Sequence, residues 1–134
     1  MRWDELSVGR SAELSKTITE ADVVLFAGLT GDFNPVHVDE TAAARTRFGG
    51  RIAHGMLSGG LISAVIGMQL PGPGCIYVSQ ALRFKRPVRI GDTVTARVAV
   101  AELLPRQRVR LATTCVNQAG EVVVEGEAEV WVPV

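Results

Sequence analysis

The sequence predicts an α+β domain in which one long apolar helix is wrapped by a curved antiparallel sheet, with the other helices gathered on one face. Three observations carry that prediction. No Asp, Glu, Lys or Arg occurs from Ile52 to Leu82, and within it Leu57, Leu61, Ile62, Val65, Ile66 and Met68 occupy all sides of a helical wheel, so this helix must be enclosed. From residue 76 onward the periodicity changes from helical to alternating over four successive segments. A composition of 47% hydrophobic against 21% charged residues is that of a chain able to bury a real core, and 134 residues suit one domain spanning 1–134.

Each element can be justified in chain order. Ala12 to Ile18 reads as an extended segment. Thr19-Glu20-Ala21-Asp22 starts a helix, since a hydroxyl and two carboxylates meet the free amides of its first turn, and the helix runs to about Leu29. Gly31 and Pro35 then interrupt any period and predict an irregular loop. Asp39 caps a second short helix, Glu40 to Thr46, which Gly49-Gly50 ends. The apolar helix spans Met56 to Leu70. Four strands follow at Ile76 to Lys85, Thr93 to Leu104, Arg108 to Gln118 and Glu121 to Val132, separated by turn residues at Arg89 to Asp92, Pro105 and Asn117 to Gly120.

In the last two strands Val109, Leu111, Thr113 and Cys115 alternate with Arg106, Arg108 and Arg110, while Val122, Val124, Ala128 and Val130 alternate with Glu125, Glu127 and Glu129. A turn of two or four residues joins the apolar faces and sets Arg110 opposite Glu129, which makes the Arg stripe a solvated sheet face. One sheet around one helix leaves edges and a flank open, and an apolar excess this large agrees with a homodimer or higher homo-oligomer.

Fourteen Lys and Arg balance fourteen Asp and Glu, so no net field draws a nucleic acid or an anionic membrane. The uncharged stretch is no membrane span: its apolar part, Gly55 to Leu70, is broken by Ser, Gly and Gln and stopped by Pro71, short of the roughly 20 residues a span needs. Cys75 and Cys115 lie far apart without a CxxC and read as free thiols, not metal ligands. Charge at Met1-Arg2-Trp3-Asp4-Glu5-Leu6 replaces the apolar run of a secretion signal, and the expected location is the cytoplasm.

Chemistry concentrates in Gly31-Asp32-Phe33-Asn34-Pro35-Val36-His37, which holds one of only two histidines. A bend at Gly31 and Pro35 can turn Asp32 and His37 toward one point, where a carboxylate takes a proton from water and an imidazole orients it. Asn34 adds a neutral donor and acceptor. A structural reading stays open beside this one: Asp32 caps a turn, Pro35 stiffens it and His37 satisfies buried carbonyls. Ala53-His54-Gly55-Met56 leads into the apolar helix, so the Gly55 amide carries the positive end of its dipole with no side chain in the way, a place for a developing enolate oxygen. Gly55 can equally serve close packing, and His54 reads as a structural hydrogen-bonding residue. Ser63 reads as core-facing and bonded to a helix carbonyl, or as lining a substrate channel.

These residues resemble a known family. Phe26 to His37, with Ala43 following, is similar to the hydratase motif of MaoC-like (R)-specific enoyl-CoA hydratases, which have the hot dog fold. The resemblance extends to His54-Gly55-Met56-Leu57 at the start of the central helix, and to Leu82 to Val88 with Gly91-Asp92. Ser58-Gly59-Gly60 is smaller than the family's usual residues. By this resemblance Asp32 is the catalytic base, His37 its partner on the water, Asn34 a support of the substrate loop, Gly55 the amide that polarises the thioester carbonyl and Ser63 a hydroxyl lining the site. The implied reaction is reversible syn addition of water to a trans-2-enoyl thioester, giving the (3R)-hydroxyacyl product at a dimer interface. It needs no metal or redox cofactor, since a fixed dipole and a positioned water suffice; coenzyme A is part of the acyl-CoA substrate and arrives near Arg83, Lys85 or Arg86. The alternatives are an acyl-carrier-protein-linked 3-hydroxyacyl dehydratase and a noncatalytic acyl-thioester-binding hot dog subunit. A hot dog thioesterase wants an acidic residue on its central helix, and Met56 to Leu70 has none.

Overall fold

A computed structural model describes residues 1–134. Its elements are β1 (Ser11–Thr17), α1 (Glu20–Thr30), α2 (Pro35–Val38), α3 (Glu40–Ala44), α4 (Gly55–Met68), β2 (Ile76–Phe84), β3 (Thr93–Leu104), β4 (Arg108–Val116) and β5 (Val122–Trp131). The strands form one antiparallel sheet in the order β1-β3-β4-β5-β2. No helix is long and apolar enough to cross a membrane.

Thr19 caps α1 in a reciprocal box with Asp22, as the first-turn pattern predicts. The stretch expected to be irregular holds α2, a single turn that Asn34 caps and Pro35 opens. Asp39 caps α3 through the Ala42 amide at 3.1 Å. On α4, Ser58, Ile62, Val65 and Ile66 are buried against the concave face of the sheet. At roughly 1.5–3 kcal/mol for each of the three large residues, that stripe holds the helix in place. The expectation of an enclosed helix is met on this side only. Met56, Gly60, Ser63 and Met68 are exposed, because one sheet covers one face.

β4 and β5 pair as the alternation predicts, with Arg110 in register with Glu129. The connecting loop nevertheless has five residues, 117–121. A bulge absorbs the difference: Cys115 pairs with Val124 and Val116 with Val122, leaving Val123 as the extra residue. The Arg110 guanidinium reaches Glu102 on β3 and, at 3.9 Å, Glu127, while Glu129 meets Arg108 at 3.6 Å, so the charges pair diagonally as well as across. Arg106 is no strand residue. With Gln107 it forms the β3–β4 turn at left-handed φ of 63° and 57°.

Candidate active site

Local devices place Asp32 and His37. Gly31 ends α1 at φ 82°, a left-handed cap whose amide bonds the Ala27 carbonyl at 2.8 Å. Asp32 follows, and its Oδ1 accepts the Asn34 amide at 3.2 Å. Asn34 Oδ1 accepts the Val36 amide at 3.3 Å and so starts α2, whose one turn carries His37 inward to 9% exposure. The structural reading of these residues therefore holds, and it leaves each with a free atom. His37 Nδ1 donates to the Ile52 carbonyl at 2.8 Å; because a carbonyl only accepts, the proton sits on Nδ1 and Nε2 remains for another partner.

His54, the cap residue of α4, is 2% exposed and donates from Nε2 to the Asp32 carbonyl at 2.9 Å. Its ring stacks on His37 with centroids 3.9 Å apart and lies 4.7 Å from the Phe26 ring. His54 Nδ1 is buried without a partner. Arg51 ties the assembly together: Nε donates to the His37 carbonyl at 2.6 Å, and Nη1 donates to both Glu20 carboxylate oxygens at 2.9 and 2.7 Å.

Asp32, His37 and Gly55 line one cavity of about 510 Å³, together with His54, Ser58, Met56 and Phe84. The side-chain donor atoms of Asp32, His37 and His54 lie within 4.8 Å of one another. The His37 and His54 ring centroids lie 3.9 Å apart with the rings inclined at 30°, a stacked arrangement beside the Asp32 carboxylate. The Gly55 amide finds no acceptor within the chain. A β-carbon at Gly55 would come within 2.6 Å of the Phe84 ring, so the position serves close packing and an unobstructed amide at once.

Two expected site residues are not on this cavity. Asn34 is exposed and its side chain is spent on capping α2. Ser63, expected to face the core, is exposed on the open side of α4, since the sheet buries only the stripe that includes Ser58. Ser58, 2% exposed, is the α4 serine that faces the sheet and the cavity wall. Helical spacing held the signal, because Ser58 lies on the same stripe as Ile62, Val65 and Ile66. Arg51 was missed with no comparable signal: its partners come from α1 and α2, and no local pattern announces them.

A curved sheet wrapped on one apolar helix is the hot dog fold, and an acid and an imidazole beside a free helix-start amide are an arrangement that can carry acid–base chemistry. Comparison with known proteins narrows this class. Residues 6–125 match the MaoC-like domain, and the chain belongs to that family. It is 59% identical over 132 residues to an (R)-specific enoyl-CoA hydratase of Rhodospirillum rubrum, covering 98% of this chain and 91% of that protein. To a 3-hydroxybutyryl-CoA dehydratase of Methylorubrum extorquens it is 57% identical, over 98% of this chain and 83% of the relative. Among solved structures, an unliganded R-hydratase from Pseudomonas aeruginosa superposes with a TM-score of 0.94 at 55% identity, over 98% of this chain and 85% of that one.

Proposed function

We propose that the protein is an (R)-specific enoyl-CoA hydratase, adding water reversibly to trans-2-enoyl-CoA thioesters to give (3R)-hydroxyacyl-CoA. The observation that carries this reading is one cavity lined by a carboxylate, an imidazole with its Nε2 free, and a helix-start amide without an acceptor. Asp32 removes a proton from a water that His37 Nε2 orients, and the water oxygen attacks the β-carbon. Charge then moves to the thioester oxygen, where the Gly55 amide stabilises it by about 3 kcal/mol. The proton returns from the same Asp32 and His37 pair to the α-carbon, and delivery of both parts of water from one side makes the addition syn. Chemistry of this kind runs on position and fixed dipoles, so no metal or redox cofactor takes part, and coenzyme A enters as part of the substrate.

The same reading makes the protein a cytoplasmic homodimer. Its two cysteines are unpaired. β2 is a sheet edge with Ile76, Tyr77 and Val78 exposed, and pairing two such edges while covering the open face of α4, Ser63 included, would bury both. Loss of enoyl-thioester absorbance on adding crotonyl-CoA tests the activity. Wild type should turn over, Asp32→Asn should lose at least about a thousandfold in kcat, and His37→Ala should lose at least about a hundredfold. An inactive wild type, or an Asp32→Asn variant at full rate, overturns the reading. A monomer by sedimentation equilibrium overturns the dimer.

A further inference from the structure

The hydratase reading leaves open how the carrier end of the substrate is held, and the cavity rim bears on that question. Its charged wall consists of Asp32 and three cations, Arg47, Lys85 and Arg86, on a chain whose charges balance overall. The cations come from two separate places. Arg47 follows α3. Lys85 and Arg86 follow β2, and the amides of both donate to the carbonyl of Val123, the extra residue of the β5 bulge, at 2.8 and 3.3 Å. A bulge re-aims the chain it pairs with, and here it fixes the segment that brings both cations to the rim.

Their partners differ. Lys85 meets Glu125 at 3.5 Å and Arg86 meets Glu121 at 3.2 Å, exposed pairs of the kind a more highly charged group displaces at little cost. Arg47 has no ion pair and no side-chain hydrogen bond; its guanidinium carbon lies over the Phe48 ring, 5.7 Å from the centroid, with the planar fork unoccupied. An unpaired guanidinium with a free planar fork suits bidentate recognition of phosphate.

Resting on the hydratase reading, we propose that Arg47, with Lys85 and Arg86 across the mouth, binds the phosphates of coenzyme A and that Arg47 selects this carrier over a protein-bound arm. Three cations match the pyrophosphate and the 3′-phosphate, whereas a carrier protein's phosphopantetheine brings one phosphodiester.

The test compares wild type, Arg47→Ala and Arg47→Lys on crotonyl-CoA, crotonyl-phosphopantetheine and crotonyl-pantetheine at low ionic strength. Adenosine 3′,5′-bisphosphate binding is followed by calorimetry in parallel. For Arg47→Ala the KM for crotonyl-CoA should rise about tenfold, with partial recovery in Arg47→Lys, and the effect should shrink below about twofold on crotonyl-pantetheine, which has no phosphate. The bisphosphate should bind wild type about tenfold more tightly than Arg47→Ala. An equal loss on all three substrates, or a change below twofold on crotonyl-CoA, overturns the proposal. A loss on crotonyl-phosphopantetheine as large as on crotonyl-CoA overturns the choice of carrier. Should wild type turn over no thioester, the hydratase reading falls, and the calorimetry still decides the phosphate site by whether the bisphosphate binds through Arg47.

Discussion

Replacing Arg51 with Met tests whether the acid–imidazole pair is held by its scaffold or merely located in it. The side chain is 13% exposed and has two tasks. Its bond to the His37 carbonyl at 2.6 Å is a charge-assisted bond in a half-buried place, worth about 1.5–3 kcal/mol. The pair with Glu20 contributes far less, because that carboxylate is 60% exposed and returns to water when released. Met keeps the apolar stem, so the net loss is about 2 kcal/mol, which for a chain of this size lowers Tm by about 6–8 °C. Catalysis should suffer more than stability. The carbonyl that Arg51 holds belongs to the single turn of α2 that carries the imidazole, and a displacement of about 1 Å there costs up to about a hundredfold in kcat, with KM moving less than about threefold. Arg51→Lys restores the charge without the fork that spans a carbonyl and a carboxylate, so it should recover only part of the rate. Differential scanning calorimetry and crotonyl-CoA kinetics at a temperature where both proteins are folded measure the two effects. A variant with Tm within about 2 °C of wild type and full kcat refutes the bracing role.

Three further outcomes follow from the same structure. Gly126→Ala puts a β-carbon 1.9 Å from the Ala81 carbonyl oxygen and 2.8 Å from its carbon, backbone that cannot yield without parting β2 from β5, so urea unfolding should show a loss of at least about 3 kcal/mol. Burial pushes the Cys115 thiol up to about 12 and raises Cys75 as well, so at pH 8 a thiol reagent should leave Cys115 unmodified in the folded protein, react slowly with Cys75 and titrate both in urea. The Lys16 ammonium, 2.7 Å from Asp22, together with the Thr19 amide holds that carboxyl below its usual 3.8, which means its stabilisation is present above pH 3.8 and lost as pH falls through the lower folded value; Asp22→Asn should therefore flatten the acid limb of the stability–pH curve.

What could be read from the sequence was whatever a local pattern or a period encodes. Thr19 with Asp22, Asp39 and the alternation from Val109 to Val130 each announce their element, because capping and face-sorting act over a few residues. The loop holding Asp32 and His37 was legible in its residues and not in its shape: Asn34 and Pro35 start a helix only one turn long, below what periodicity can detect. The expectation that Ser63 faces the core failed for a related reason. With every side of α4 apolar, the sequence does not say which stripe meets the sheet, and Ser58 and Ser63 are equivalent until Ile62, Val65 and Ile66 are seen buried. Arg51 was beyond reach, since its three acceptors lie 31 and 14 residues away.

The bonds that build the site share a form that bears on how it works. His37 donates to the carbonyl of Ile52, His54 to the carbonyl of Asp32, and Arg51 to the carbonyl of His37. Two segments are thus laced together in both directions through backbone oxygens, which no side-chain motion can withdraw. Lacing of this kind fixes the tautomer of His37 and with it the free Nε2, while the Asp32 carboxylate keeps one oxygen clear of its own turn. It also explains why His54 is tolerated with a buried nitrogen unpaired, at a cost of about 1–3 kcal/mol. A smaller residue would remove both the bond to Asp32 and the ring on which His37 rests. Proton transfer to and from one carbon face requires acid, imidazole and amide to stay in register to a fraction of an ångström. Here that register depends on three side chains reaching across the same gap, so the proposed acid–imidazole pair and its supports must stand or fall together.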